Sequence, residues 1–406
     1  MTLLSGSVIA QLIAVGLLPW LGLLYPAEAF GIQGIFVATV ITLLVSINGG
    51  FDQAIMLPDE EGEAQQLLKL SRVIALVGAG LAALLLALLG SWFWPLMDAD
   101  ELVGPWQYLL PLSLLAEGQI QPLRVMLNRR GAYRGLSASR LVQAIVTGGI
   151  MVAAGYLVGG FEGLLLGWVI GAWAAWAWME VVLWRHPALE AGKGLPSLRQ
   201  VAQTYRDFPQ KAIGAGWLNA FSRQLPLYLL PAFYGKEVAG YYFMAQRVLL
   251  MPLGLISQAI GEVYYRQATQ AFQQGARALQ ELTDRTVRQL AGMGLIPLLG
   301  VMLLGPWAVE WIFGAEWTQT GFFVRWLMPW LYLRFITSPI TGLIDIKRRL
   351  DFQLNYNLLL FGVRLVALLL AGYFLPPLAG IVLYSLLSAL MIGGHLQFLF
   401  KISRAK

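Results

Sequence analysis

The chain has 406 residues, of which 58% are hydrophobic and only 12% are charged, and its mean hydropathy is +0.66. This composition excludes a soluble globular protein. The absence of cysteine excludes disulfides and cysteine-based metal or redox chemistry. The net charge of +6 is informative through its distribution along the chain, and we do not expect a nucleic-acid partner.

Twelve apolar runs are each long enough for an α-helix to cross a hydrocarbon core of about 30 Å. They cover residues 3–24, 29–49, 72–96, 104–126, 138–159, 163–184, 210–233, 238–262, 287–312, 319–344, 353–374 and 378–400. None of them alternates as the strands of a β-barrel would. The sequence therefore predicts an all-α polytopic membrane protein, with a further polar helix at 268–284 joining the eighth and ninth spans.

Proline and glycine cluster in the middle of the chain and divide it. We expect an N-terminal six-helix bundle at 1–184, a cytoplasmic linker with an amphipathic helix at 185–208, and a C-terminal six-helix bundle at 209–406. For the linker, a single packed turn is the alternative. Twenty-two of the 28 lysines and arginines lie on the side of the longer loops, and only Lys236 lies on the other side. This asymmetry predicts that both termini are cytoplasmic.

The second half of the chain repeats the first. The segment from Tyr25 to Gly31 parallels the segment from Tyr234 to Gly240 at an offset of 209 residues, and Pro111 corresponds to Pro329 at an offset of 218. Each half has an even number of spans, so both halves have the same orientation. This arrangement predicts two bundles related by a pseudo-twofold axis along the membrane normal, a class of fold that holds its substrate between the halves.

Five arginines lie inside predicted spans, all in the second half: Arg223, Arg247, Arg325, Arg334 and Arg364. A central arginine costs about 3 kcal/mol on the translocon scale, so each is a candidate functional residue. Arg325 is close enough to the outer face to snorkel. The other four lie near mid-depth and are expected to line a hydrated cavity or to pair with acids.

Glu117 is the only carboxylate near mid-depth, so the cavity is expected to be cationic. Arginine suits phosphate groups because its planar guanidinium donates two parallel hydrogen bonds. Structural pairing of the arginines with Glu117 or with helix-end carbonyls is the alternative. Glu117 also lies at nearly the repeat position of Arg334, which makes it a candidate for coupling or gating. A local hydrogen bond within its own span is the simpler interpretation.

Nothing in the sequence favours catalysis. No outer loop exceeds about ten residues, and no cluster of His, Asp or Glu has metal-ligand spacing. We therefore expect no catalytic residues, no metal and no cofactor. The lone His395 is read as a packing residue, with proton relay as the alternative.

Several short motifs follow one another along the chain, and each occurs once. They are FDQAIMLP at 51–58, YRDFP at 205–209, GYY at 240–242 followed by AQR at 245–247 and Pro252, and FGAEW at 313–317 followed by Gly321, Pro329 and Ser338-Pro339. With this ordered set the chain resembles the polysaccharide and O-antigen flippases of the multidrug/oligosaccharidyl-lipid/polysaccharide (MOP) exporter superfamily.

The resemblance implies two six-helix bundles that work by alternating access. It also implies a polyprenyl-pyrophosphate-linked oligosaccharide as substrate, moved from the inner to the outer leaflet of a bacterial inner membrane, with the lipid bilayer and glycan-assembly enzymes as candidate partners. Two other functions stay open at this point. One is a cation-coupled multidrug exporter of the same fold, and the other is a membrane-embedded glycan polymerase or ligase.

Overall fold

A computed structural model describes residues 3–187, 195–347 and 349–404, and within these residues it contains no β-strand. The helices are α1 (Leu3–Gly16), α2 (Leu18–Leu24), α3 (Ala27–Leu44), α4 (Glu61–Phe93), α5 (Leu109–Arg129), α6 (Tyr133–Leu157), α7 (Phe161–Arg185), α8 (Leu198–Thr204), α9 (Asp207–Tyr234), α10 (Lys236–Gln274), α11 (Ala276–Phe313), α12 (Thr318–Thr337), α13 (Leu343–Ile346), α14 (Leu350–Phe374) and α15 (Pro377–Arg404). The all-α class is therefore confirmed.

Each predicted span corresponds to a helical segment of the described residues. Eight segments are long and apolar enough to cross a membrane by length and composition alone, among them α1 with α2 taken together. The remaining four are α5, α9, α10 and α12, and four of the five intramembrane arginines as well as Glu117 lie on them. These helices are less apolar because they contain the polar residues that the sequence singled out. The chain is thus a multi-pass membrane protein.

Helix α12 ends earlier than the sequence predicts. The predicted span runs to residue 344, but α12 ends at Thr337 and continues as a 3-10 turn, Ser338–Ile340. Pro339 has no N–H to donate to the carbonyl four residues earlier, which accounts for the end of the α-helix. Arg334 consequently lies in the last turn of α12 rather than at the middle of a long span.

The polar helix predicted at 268–284 is wrong as a separate element. Helices α10 and α11 both extend into this segment and meet at Gly275, whose φ of 120° is disfavoured for any residue with a Cβ. The hydroxyls of Tyr264 and Thr283 are 2.8 Å apart and join the two extensions. The segment is a helical hairpin.

The segment between the predicted bundles contains helix α8. Ser197 caps α8 through a reciprocal bond pattern with Gln200, and Val201 is buried. Residues 188–194 of the predicted linker lie outside the described residues. The chain divides into two compact units, Met1–Gly240 and Tyr241–Lys406. Helix α9 belongs to the first unit, where it packs against α3. The predicted boundaries at 184 and 208 stay a prediction.

In the first unit, α6 packs along α7 and α1, while α5 lies between α4 and α7. The motif at 51–58 forms a 3-10 turn, Phe51–Met56, that is buried against α4 and α5. Arg129 donates to the carbonyl of Ile55 at 3.3 Å, and Glu61 accepts from both Arg129 and Arg130. The motif is therefore anchored by a shared carboxylate between α4 and the end of α5.

The first turns of α3 and α10 approach each other at two glycines of the first unit. A Cβ placed on Gly31 would lie 1.9 Å from the carbonyl oxygen of Lys236, and one on Gly240 would lie 1.8 Å from that of Ala27. The two contacts are reciprocal at the repeat offset of 209 residues, because Ala27 corresponds to Lys236 and Gly31 to Gly240. Small residues allow such backbone contact between membrane helices.

The second unit is built around α12 and α15. Helix α11 packs along α12 and α15, and α14 packs along α15. The hydroxyl of Tyr332 on α12 donates to the carbonyl of Ala291 on α11 at 3.1 Å. These contacts fix the helices that carry Arg334 and Arg364.

We predict that Gly31→Ala and Gly240→Ala lower the unfolding temperature in detergent, because a methyl group there meets backbone that has no rotamer to change. Overpacking of this kind costs about 1–3 kcal/mol. Gly80→Ala in α4 is the matched control, since no atom lies within 4 Å of its added Cβ. Alanine there favours the helix by about 0.5–1 kcal/mol. Equal shifts in all three variants would contradict the contact.

Candidate functional site

Arg364 of α14 is buried in the second unit, with only 3% of its surface exposed. Its guanidinium carbon lies 5.5 Å from the ring centroid of Trp330 on α12 and 5.6 Å from that of Tyr384 on α15, both within cation–π range. Its Nε donates to the hydroxyl of Ser388 at 3.2 Å. The charge is thus held by two aromatic faces and one hydroxyl from neighbouring helices.

A chain of hydrogen bonds extends this cluster to α10. The side-chain amide of Gln246 donates to the hydroxyl of Tyr242 at 2.8 Å, and that hydroxyl also bonds to the hydroxyl of Tyr384. Tyr242 and Tyr384 are fully buried. The motifs at 240–242 and 245–247 therefore supply part of the polar surroundings of Arg364.

Arg334 lies at the open side of the same cluster. Its guanidinium carbon is 5.8 Å from the ring centroid of Trp330, so Arg334 and Arg364 share one aromatic ring. Arg334 is half-buried and lines a cleft of about 720 Å³ between α10 and α12. The other polar groups that line this cleft include Ser257, Glu262 and Tyr265. A cationic side chain is therefore accessible from a cavity of ligand size.

Arg247 lies one turn after an aromatic residue, and two other arginines of the predicted spans share this pattern. Its guanidinium carbon is 5.4 Å from the ring centroid of Phe243, four positions earlier. Arg334 has the same spacing from Trp330, and Arg325 follows Phe322 by three positions at 5.9 Å. Residues three or four apart share one helix face. An aromatic residue one turn before an intrahelical arginine is thus a sequence signal for its partner.

Arg325 has a backbone partner. Its Nη2 donates to the carbonyl of Leu303 on α11 at 3.3 Å, and the side chain is half-buried. The contact joins α12 to α11 on the part of α11 that precedes Pro306. A structural role, in which an arginine pairs with a helix carbonyl, is one of the alternatives that the sequence analysis keeps for these arginines.

The two remaining predicted residues belong to the first unit. Arg223 lies in the middle of α9 and its side chain is exposed. Glu117 on α5 is half-buried, and its Oε1 accepts from the side-chain amide of Gln143 on α6 at 3.2 Å. This hydrogen-bond partner of Glu117 therefore lies on the neighbouring helix. The simpler sequence interpretation, a hydrogen bond within the span of Glu117 itself, differs from this arrangement.

Two of the five arginines, Arg334 and Arg364, are brought together by the structure. The sequence analysis does not identify the residues that surround them as site residues: Trp330, Tyr384, Ser388, Tyr242 and Gln246. Trp330 was detectable by its spacing from Arg334, whereas Tyr384 and Ser388 come from another helix.

His395 is buried and stacks on Tyr356 at a centroid distance of 4.1 Å.

Three solved structures share the fold over nearly the whole chain. A MATE-family multidrug resistance transporter in its inward-facing conformation has a TM-score of 0.77 at 12% identity, over 97% of this chain and 94% of that one. The lipid II flippase MurJ, in an inward closed conformation, has a TM-score of 0.68 at 14% identity, over 98% and 89%. A MOP superfamily transporter from Pyrococcus furiosus has a TM-score of 0.65 at 13% identity, over 100% and 98%.

These likenesses establish the fold, and the proteins that share it are transporters and a flippase. No protein with a curated description matches the sequence. A family described as "Polysaccharide biosynthesis protein" matches residues 22–321, which is well over half of the chain. The chain therefore belongs to the polysaccharide biosynthesis protein family, and its fold is that of the MOP transporter superfamily.

Proposed function

We propose that the protein is a flippase that moves a polyprenyl-pyrophosphate-linked oligosaccharide from the inner to the outer leaflet by alternating access. In this proposal a cationic cavity holds the pyrophosphate while the polyprenyl tail stays in lipid. The membrane is the bacterial inner membrane and both termini are cytoplasmic. The family assignment supports a substrate of polysaccharide biosynthesis, with O-antigen-type lipid-linked oligosaccharides as the class.

The single observation that carries the proposal is the position of Arg334 on the wall of an open cleft, beside a second, buried arginine. A pyrophosphate group needs at least two donors in a fixed geometry, and a guanidinium supplies them in one plane. Its charge persists when water is excluded, because arginine does not lose its proton in proteins.

The five arginines divide into two roles in this proposal. Arg334 and Arg247, which are half-buried, are the proposed contacts of the pyrophosphate, and the exposed Arg223 stays a predicted contact. Arg364 is enclosed by Trp330, Tyr384 and Ser388, so we assign it to positioning the ring on which Arg334 rests. Arg325 is assigned to packing through its bond to Leu303.

A cation-coupled multidrug exporter is the second candidate, and one observation favours it. The MATE transporter has a higher TM-score than the lipid II flippase. Such an exporter needs an acidic residue in its cavity to bind organic cations, and Glu117 is the residue to test.

Product analysis distinguishes a glycan polymerase or ligase from a flippase, because an enzyme changes glycan length or attachment while a flippase changes only the leaflet. Glycan-assembly enzymes are proposed partners whether the protein is a flippase or a glycan polymerase.

We predict that a polyprenyl-pyrophosphate oligosaccharide stabilises the purified protein against heat, and that Arg334→Ala binds it about tenfold more weakly or worse. The reason is the loss of charge-assisted hydrogen bonds, each worth about 1.5–3 kcal/mol. The measurement is the ligand-induced shift of the unfolding temperature of each variant relative to its own ligand-free value. Arg223→Ala and Arg247→Ala are measured alongside.

Arg325→Ala is the matched control, since it removes the same side chain from the same helix but not from the cleft. It is expected to bind the lipid like the wild type. Binding by Arg334→Ala that equals wild-type binding would contradict the assignment. Stabilisation by an organic cation alone, lost in Glu117→Gln, would favour the exporter.

We further predict that Arg364→Ala is the more destabilising of the two cluster substitutions. It leaves Ser388 without its donor and two aromatic faces without their cation, at a cost of about 2–4 kcal/mol. Arg334→Ala removes a half-exposed group and is expected to cost less than about 1 kcal/mol. Thermal unfolding without ligand measures both. Equal destabilisation by the two would contradict the division into a buried and an accessible arginine.

A further inference from the structure

The first unit has a second cleft, of about 710 Å³, whose walls come from α4, α5 and α7. On α4, one stripe of residues lines the cleft, at positions 65, 68, 69, 72, 73 and 76. This spacing keeps them on one helix face over about 16 Å, at 1.5 Å per residue. The stripe is polar at Gln65, Lys69 and Arg72 and apolar from Val73 to Leu76. The cleft is therefore amphipathic along its length.

Three cations line the polar end: Lys69, Arg72 and Arg130. Arg72 forms an ion pair with Glu180 of α7, and its Nε donates to the side-chain oxygen of Gln119 on α5 at 2.6 Å. The amide of Gln119 in turn donates to the carbonyl of Arg72 at 3.1 Å. The Arg72 guanidinium is thus fixed in the wall of the cleft from two neighbouring helices.

Arg130 is fixed by different partners at the end of α5. Its guanidinium pairs with Glu61 at 2.7 Å and donates to the carbonyl of His186 at 2.7 Å. Glu61 is shared with Arg129, so one carboxylate balances two arginines there. Lys69 is exposed and forms no ion pair within the described residues. The polar end therefore keeps positive charge that its own carboxylates do not balance.

The other end of the cleft suits hydrocarbon. Val73 and Leu76 are exposed, and Leu115 lines the same cleft. The polar end meets this apolar end at Trp176, whose indole N–H donates to Glu180 at 2.8 Å. Tryptophan with one apolar and one hydrogen-bonded end is typical of the level of lipid headgroups. Lys69 and Arg72 also directly precede the apolar run of α4, which places them at the edge of the hydrocarbon region.

We propose that this cleft binds an anionic phospholipid of the surrounding bilayer, with its phosphodiester at Lys69, Arg72 and Arg130 and its first acyl methylenes along Val73 and Leu76. Lys69, Arg72, Arg129 and Arg130 carry four positive charges against the two carboxylates Glu61 and Glu180, so a phosphodiester with its single negative charge is attracted to this end of the cleft. Basic pockets between membrane helices bind anionic headgroups in this way. The site is distinct from the arginine cluster of the second unit and does not depend on the proposed transport function.

The test is native mass spectrometry of the full chain in detergent, titrated with phosphatidylglycerol or with zwitterionic phosphatidylcholine. We expect retention of phosphatidylglycerol in preference to phosphatidylcholine. Lys69→Gln is expected to weaken the phosphatidylglycerol complex about fivefold, as a cation close to a lipid surface contributes. Lys401→Gln, an exposed lysine in the last turn of α15, is the matched control and is expected to bind like the wild type.

A second variant tests the apolar end without changing charge. Leu76→Trp fills the space proposed for the acyl chain and is expected to weaken phosphatidylglycerol binding, while an excess of glycerol phosphate is expected not to displace the lipid. Equal binding of both lipids, or unchanged binding in Lys69→Gln, would overturn the proposal. Displacement by glycerol phosphate would identify a simple phosphate site. Displacement by a polyprenyl-pyrophosphate lipid with the same dependence on Lys69 would assign the cleft to the transported substrate.

Discussion

The cost of placing a charge inside a membrane helix governs the arrangement of the polar residues in this protein. In the second unit, aromatic faces and a hydroxyl from α12 and α15 surround Arg364. Arg325 meets the same demand with a backbone carbonyl of α11. Arg334 is different, because it shares the ring of Trp330 and yet faces a cleft. An arginine that is oriented by its neighbours but still accessible is the arrangement expected of an anion-binding group.

Hydropathy and length were sufficient to predict the twelve helical segments and to identify the arginines. They could not give the tertiary partners: Tyr384 and Ser388 lie on α15, and nothing in their local sequence separates them from other residues of that helix. The predicted end of α12 is too late because apolar residues continue past Pro339, and hydropathy does not register the missing N–H of proline. The hairpin at Gly275 was missed because both of its arms are polar and helical, so that only one glycine marks the turn.

The internal repeat accounts for a pair of close backbone contacts between two helices. Gly31 and Gly240, equivalent positions of the repeat, lie where α3 and α10 touch backbone to backbone. The repeat explains why both positions need the same small residue, since each contact is the counterpart of the other. In the first half, by contrast, the sequence indicated little beyond Glu117. The sequence does not predict the ion pair of Arg72 with Glu180, because both residues lie near the ends of predicted spans.

The most direct test of the central claim is a transport measurement with the purified protein in liposomes. A polyprenyl-pyrophosphate oligosaccharide is incorporated, and a membrane-impermeant reagent added outside labels the glycan of the outer leaflet. The labelled fraction is measured over time. We expect the wild type and Arg325→Ala to move glycan across the bilayer, and Arg334→Ala to do so about tenfold more slowly or not at all. Movement by Arg334→Ala at the wild-type rate, or no movement by the wild type in liposomes that do export an organic cation, would contradict the flippase assignment.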